Sequence, residues 1–164
     1  MSSRYQAAVE RFLVEHHPEL AELTLRAYTA AGGHYLALNE AARRQHALGD
    51  AGEFATALQT KLIDYERVGR LVTEGGTQAL LEDIVRMVRM QEHLFVQFVQ
   101  AALPEQPELA HELQQRARQL AARFCMALTA AGMTAVVHAA RPSRESGSEP
   151  EASTQPRPLS DPSH

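Results

Sequence analysis

The side chains best equipped for chemistry in this sequence are eight histidines and a single cysteine, and their spacing decides what they can do. Glu108 and His111 form a Glu-x-x-His step, which places a carboxylate and an imidazole on one side of a helix, as di-iron carboxylate bundles require. Such a centre needs a second Glu-x-x-His step and two further inward glutamates, and the second step is missing. A metal-binding helical bundle is therefore carried only as an alternative, and no metal ligand is assigned. His16 and His17 are adjacent, so they diverge by about 100° on a helix and make poor joint ligands. His46 and His138 are expected near helix C-termini, where positive charge is favoured.

Other chemistries find no constellation. Cys125 lies between Phe124 and Met126 on a helical stretch, the setting of a small core residue rather than of an activated thiolate. Glu82 and Asp83 are adjacent on a polar helix face and are expected to be solvated, not paired as acid and base. Neither Gly32-Gly33 nor Gly75-Gly76 belongs to a dinucleotide or phosphate-binding loop, so both are expected to be turns or kinks. Of the 16 basic residues, Lys61 is the lone lysine. The arginine groups Arg43-Arg44, Arg86 with Arg89, and Arg116, Arg118 and Arg123 are each interspersed with acids or glutamines. With a formal charge of −4, no surplus of positive charge offers itself to a polyanion, and nucleic acid is not an expected partner. No catalytic residue and no cofactor is assigned, and the expectation is a protein that is not an enzyme.

The elements that would position these residues are helical. A chain of 164 residues, 45% apolar and 22% charged, has room for one domain with a real core. Only 5% of residues are aromatic and tryptophan is absent, while alanine recurs throughout, a composition that favours helix over sheet. With one cysteine no internal disulfide can form. Met-Ser-Ser-Arg leads into a segment of mixed polarity without a signal-peptide core, so a cytoplasmic location is expected. The stretch Phe124 to Val137 is too short and too interrupted to be a membrane span of roughly 20 residues.

Apolar spacing predicts an all-α fold of four or five amphipathic helices in an elongated bundle. The first covers Ser3 to about His16, and the second runs from Pro18, suited to a first helical turn, to about Leu48 with a kink or break at the glycine pair. The third opens at Asp50, an N-cap with Glu53 three residues on, and carries Phe54, Leu58, Leu62, Tyr65, Val68 and Val72 on one side. The fourth is capped by Thr77 and presents Leu80, Leu81, Ile84, Val85, Met87, Val88, Leu94, Phe95, Phe98 and Val99 over about half its circumference, a sector interrupted by Gln91 and Glu92. The fifth spans about Pro107 to His138, with a stripe of Leu109, Leu113, Ala117, Leu120, Phe124, Leu128 and Ala131. Beyond Arg141, five of the eight prolines crowd in with serine and glutamate. Residues 1–140 are thus read as the helical domain and 141–164 as a disordered tail unable to offset its chain entropy.

The order of these features resembles the phasins, small helical proteins that coat intracellular polyhydroxyalkanoate granules. The likeness covers about Leu20 to Arg141. It rests on Leu36-Ala-Leu-Asn-Glu-Ala-Ala-Arg43 ending a long helix, a short Gly-Asp break, and Glu53-Phe-Ala-Thr-Ala-Leu-Gln59 opening an amphipathic one with Tyr65. It continues in Phe98-Val-Gln-Ala-Ala-Leu-Pro-Glu-Gln-Pro107 before the final helix, and in the small-residue stretch Leu120-Ala-Ala-Arg-Phe-Cys-Met-Ala-Leu-Thr-Ala-Ala131. The resemblance implies no catalytic residues. It implies a non-enzymatic coat on a hydrophobic polyester surface, formed by a homo-oligomer associated with storage granules. The residues expected to touch the granule, or a partner helix, are Phe54, Leu58, Leu62, Leu81, Ile84, Val88, Phe95, Val99, Leu113, Leu120 and Phe124. The alternative that uses the same stripes is a helical protein–protein interaction or regulatory module.

Overall fold

A computed structural model describes residues 4–75 and 77–140, with side-chain surroundings for 4–74 and 77–133; the expected tail, 141–164, lies outside the described residues. The fold is all-α, as expected, and no strand occurs among the described residues. Seven helices follow one another among the described residues: α1 (Gln6–Glu15), α2 (His17–Ala31), α3 (His34–Ala37), α4 (Glu40–Thr60), α5 (Tyr65–Gly75), α6 (Gln78–Ala102) and α7 (Pro107–Ala140).

Local chemistry explains most of the boundaries. Pro18 sits in the first turn of α2 with Glu19 beside it, where a missing N–H costs nothing and a carboxylate complements the helix dipole. Thr77 caps α6 as expected, its side chain accepting the Leu80 N–H at 3.2 Å. The glycine pair does more than kink the second helix. Gly32 and Gly33 adopt φ of 69° and 56°, a left-handed conformation that stops α2, and Asn39 then caps a new helix by accepting the Ala42 N–H at 2.8 Å. The expected helix from Pro18 to Leu48 is therefore three helices, which raises the count above four or five.

The expected boundary at Gly49-Asp50 is corrected. Asp50 is no N-cap: α4 runs through Gly49, Asp50 and Gly52 and ends ten residues later, where Lys61 takes the left-handed conformation at φ 60°. Its N–H still reaches back to the Ala57 carbonyl at 2.7 Å. The stripe expected on one continuous helix from Phe54 to Val72 is thus split between α4 and α5. The two glycines inside α4 have open space around them, so each costs helix propensity of about 1 kcal/mol. Packing of α4 on α2, with Ala47 in the cluster of Ala27 and Tyr28 and Ala51 in that of Leu20 and Leu23, outweighs that cost.

The helices pack around α2, which lies against both α4 and α6, while α6 in turn packs on α7 and α5 lies against α7. Two apolar clusters result. One gathers Phe12, Leu20, Leu58, Phe95, Val99, Leu113 and Leu120 where α1 meets the ends of α4 and α6. The other gathers Tyr28, Tyr35, Val68, Ile84, Met87 and Leu128. Ile63 and Leu94 pack against both.

Three polar groups pin the arrangement. Asp83, 8% exposed, accepts the His34 N–H at 2.9 Å and is paired with Arg86, tying α6 to the glycine turn. Thr24 and Gln91 are both buried; the Gln91 amide donates to the Thr24 hydroxyl at 2.9 Å, and that hydroxyl donates to the Leu20 carbonyl at 2.8 Å. Arg116, only 3% exposed, donates to Glu112 at 2.7 Å, to the Leu58 carbonyl at 2.9 Å and to Gln6 Oε1 at 3.2 Å, so it closes the otherwise open C-terminus of α4.

Candidate functional site

Where the two clusters meet, α2, α4, α5, α6 and α7 surround a pocket of about 860 Å³. That lies within the roughly 300–1,000 Å³ of typical small-molecule sites. Its walls are apolar: Phe54 and Ala57 come from α4, Leu71 from α5, Ile84, Met87 and Val88 from α6, Leu120 and Phe124 from α7, and Leu62 and Ile63 from the α4–α5 linker.

One side is ionic. Arg67, at the start of α5, is paired with both Asp50 and Glu53 of α4, and Asp50 also accepts a hydrogen bond from the Tyr28 hydroxyl. Asp64 accepts the Arg67 backbone N–H at 3.0 Å and so caps α5. The Tyr35 ring is stacked on Tyr28 with centroids 4.4 Å apart. Burial, reinforced by the Asp50 charge, holds both phenols above their usual range. Burial also raises the Glu53 carboxyl, and the charges of Asp50 and Asp64 add to that, so that Arg67 does not bring it back to its ordinary value. Tyr35 and Gln91 are 6% and 5% exposed and both line the pocket. The Gln91 amide N–H is spent on the Thr24 hydroxyl.

The eleven apolar contact candidates are distributed unevenly. Leu58, Phe95, Val99 and Leu113 are buried in the first cluster. Phe54, Leu62, Ile84, Val88, Leu120 and Phe124 line the pocket, with Phe54, Val88 and Phe124 half-buried and Leu62 exposed. Leu81 lies at a second groove of about 700 Å³, shared by the start of α6 and Leu128, Gly132 and Met133 of α7. The remaining large apolar side chains on the surface, among them Val14, Leu36, Leu48 and Met126, come from different helices.

The histidines are dispersed. Glu108 accepts from Tyr5 at 2.5 Å and lies 3.6 Å from Arg4, while His111 lies 3.4 Å from Gln115. No group of three or more His, Cys, Asp and Glu gathers in a metal-holding arrangement among the described residues. His46 is not near a helix C-terminus but in the first third of α4, at the pocket, because α4 extends past the expected boundary; the His138 side chain lies outside those described. Cys125 is buried, and burial raises its pKa. Among the described residues no helix is long and apolar enough to cross a membrane.

The sequence does not bring the polar residues of the pocket together. Asp50 was assigned to capping, and Arg67 stands at no helical spacing from it because a helix break intervenes. Gln91 was the one visible signal, a polar residue inside an otherwise apolar sector of α6. Comparison with protein-family models, curated proteins and solved structures gives no match.

Proposed function

We propose that this chain is a non-enzymatic regulatory module, a helix bundle that takes an apolar small molecule into the pocket between α2, α4, α5, α6 and α7. The observation that carries this reading is that six of the eleven apolar stripe residues converge on one pocket, with Ile84 and Leu120 rooted in the two core clusters and Leu62 at its rim. Filling such a pocket with a ligand restores van der Waals contacts that the lining side chains lack. Helix α5 is the element suited to report occupancy. It joins α4 through the non-helical stretch after Lys61, and it is held to α4 by the Arg67 pairs with Asp50 and Glu53.

The test is uptake of the neutral dye N-phenyl-1-naphthylamine, whose emission rises in apolar surroundings. Saturable enhancement at one dye per chain is expected, together with its loss in Val88→Trp, which fills the pocket from α6. A linear, unsaturable response, or full binding by a folded Val88→Trp variant, rejects the reading.

The phasin-like coat is a second reading, favoured by the same pocket. Apolar area that is not locked into a filled core can turn outward if α5 swings away, and each Leu, Ile or Phe transferred to a polymer surface is worth roughly 1.5–3 kcal/mol. In that reading oligomers of the chain cover polyester granules in the cell. A fluorescent fusion expressed in polymer-accumulating cells is then expected on granules, and diffuse fluorescence rejects it.

A further inference from the structure

The pocket's charge pattern narrows what it takes. Asp50, Glu53 and Asp64 face a single fixed cation, Arg67, with His34 and His46 also on the lining. The Arg67 guanidinium is already shared between Asp50 and Glu53, so the surplus of the site is negative. An anionic ligand would have to strip Arg67 from both carboxylates, whereas a cation adds to them without breaking a pair. Two polar side chains on the lining agree: the Gln91 oxygen only accepts hydrogen bonds, and the Tyr35 hydroxyl can accept as well as donate.

We infer that the pocket takes an apolar molecule carrying a protonated amine, whose hydrocarbon body lies among Ile84, Val88 and Phe124 and whose ammonium group meets the Asp50–Glu53 side. This rests on the pocket reading above, and the test separates the two.

Three probes of one skeleton are compared: 4-phenylbutylamine, 4-phenylbutanol and 4-phenylbutyrate. The readout is the methyl NMR of isoleucine, since Ile63 and Ile84 are the only isoleucines in the sequence and both line the pocket. The amine is expected to shift both methyl signals and to bind at least about tenfold more tightly than the carboxylate. Glu53→Gln, at a half-exposed position where the fold tolerates it, is expected to shrink that ratio severalfold, and Asp64→Asn serves if Glu53→Gln unfolds. Equal binding of all three probes, preference for the butyrate, or an undiminished ratio in a folded variant overturns the charge inference while the pocket reading stands. Silence of both isoleucines toward all three probes overturns both.

Discussion

Replacing Arg116 by methionine tests whether the buried guanidinium holds α1, α4 and α7 together. The side chain is only 3% exposed, and methionine has similar reach without charge or donors. Four bonds disappear: to Glu112 at 2.7 Å, to the Leu58 carbonyl at 2.9 Å, to Gln6 at 3.2 Å and, at 3.5 Å, to the Gln59 carbonyl. The Leu58 carbonyl is buried, and an acceptor left unpaired there costs about 1–3 kcal/mol. Breaking a buried ion pair by removing one partner costs about 3–5 kcal/mol, but Glu112 is 25% exposed and also lies 3.7 Å from Lys61, so water and the lysine recover part of that. Arg116 Nη2 has no partner among the described residues, and its removal returns a further fraction. The expected net loss is about 3 kcal/mol, or roughly 6–12 °C in Tm for a chain of this size. Urea denaturation followed by circular dichroism reads it as a fall in midpoint at constant slope. Arg116→Lys, which keeps the charge but not the fork of donors, is expected to lose about half as much. A methionine variant within 1 kcal/mol of the parent, or more stable than it, would show that the desolvation of the guanidinium cancels its bonds and would refute the reasoning.

Three further outcomes follow from the same structure. Gly33→Ala should destabilise by about 2–4 kcal/mol, because its new methyl runs into the Asp83 carboxylate on a left-handed backbone; Gly32→Ala, whose nearest neighbour is 3.8 Å away, should cost only the backbone strain, and equal thermal shifts would remove Asp83 from the account. Tyr28 and Tyr35 ionise above the ordinary 10.0 in the folded state, so they stabilise fully below pH 10 and that contribution is lost as the pH rises beyond it; in an absorbance titration both should ionise together with alkaline unfolding, and smooth ionisation of both before unfolding counts against their burial. Burial pushes Glu112 up, but its hydrogen bond and ion pairs with Arg116 and Lys61 outweigh that and leave its pKa below the ordinary 4.5; its stabilisation is present above pH 4.5 and is lost as the pH falls through the folded value, and Glu112→Gln should flatten the acid limb of the stability curve.

Where local chemistry sets an element, the sequence reveals it. Thr77 and the apolar sector of α6 are visible at their true positions, as is the start of α7 at Pro107, because caps, prolines and 3.6-residue spacing act over a few neighbours. The end of α4 is not. No glycine or proline marks Lys61, and what terminates the helix is partly supplied from afar: Arg116 and Gln6 donate to the Leu58 and Gln59 carbonyls. Gly49-Asp50 misleads for the converse reason, since alanine-mediated packing on α2 carries the helix through it. The pocket's ionic side is hidden by the same error, because placing Asp50 at a helix start removes it from Tyr28 and Arg67. Gln91 among the apolar residues of α6 was legible as an irregularity, and its meaning needed Thr24, which is 67 residues away.

That last pair has a consequence for how α2 and α6 are seated. Smooth aliphatic surfaces tolerate sliding by a full turn, about 5.4 Å, with little loss of contact. The Thr24 hydroxyl and Gln91 amide act as a notch and pawl: a one-turn slip strands both in oil, and the ratchet has a single comfortable tooth. Registry between these two long rods is therefore keyed by one hydroxyl and one amide in the interior, with Arg86 gripping the Ala31 carbonyl at 3.3 Å at the far end.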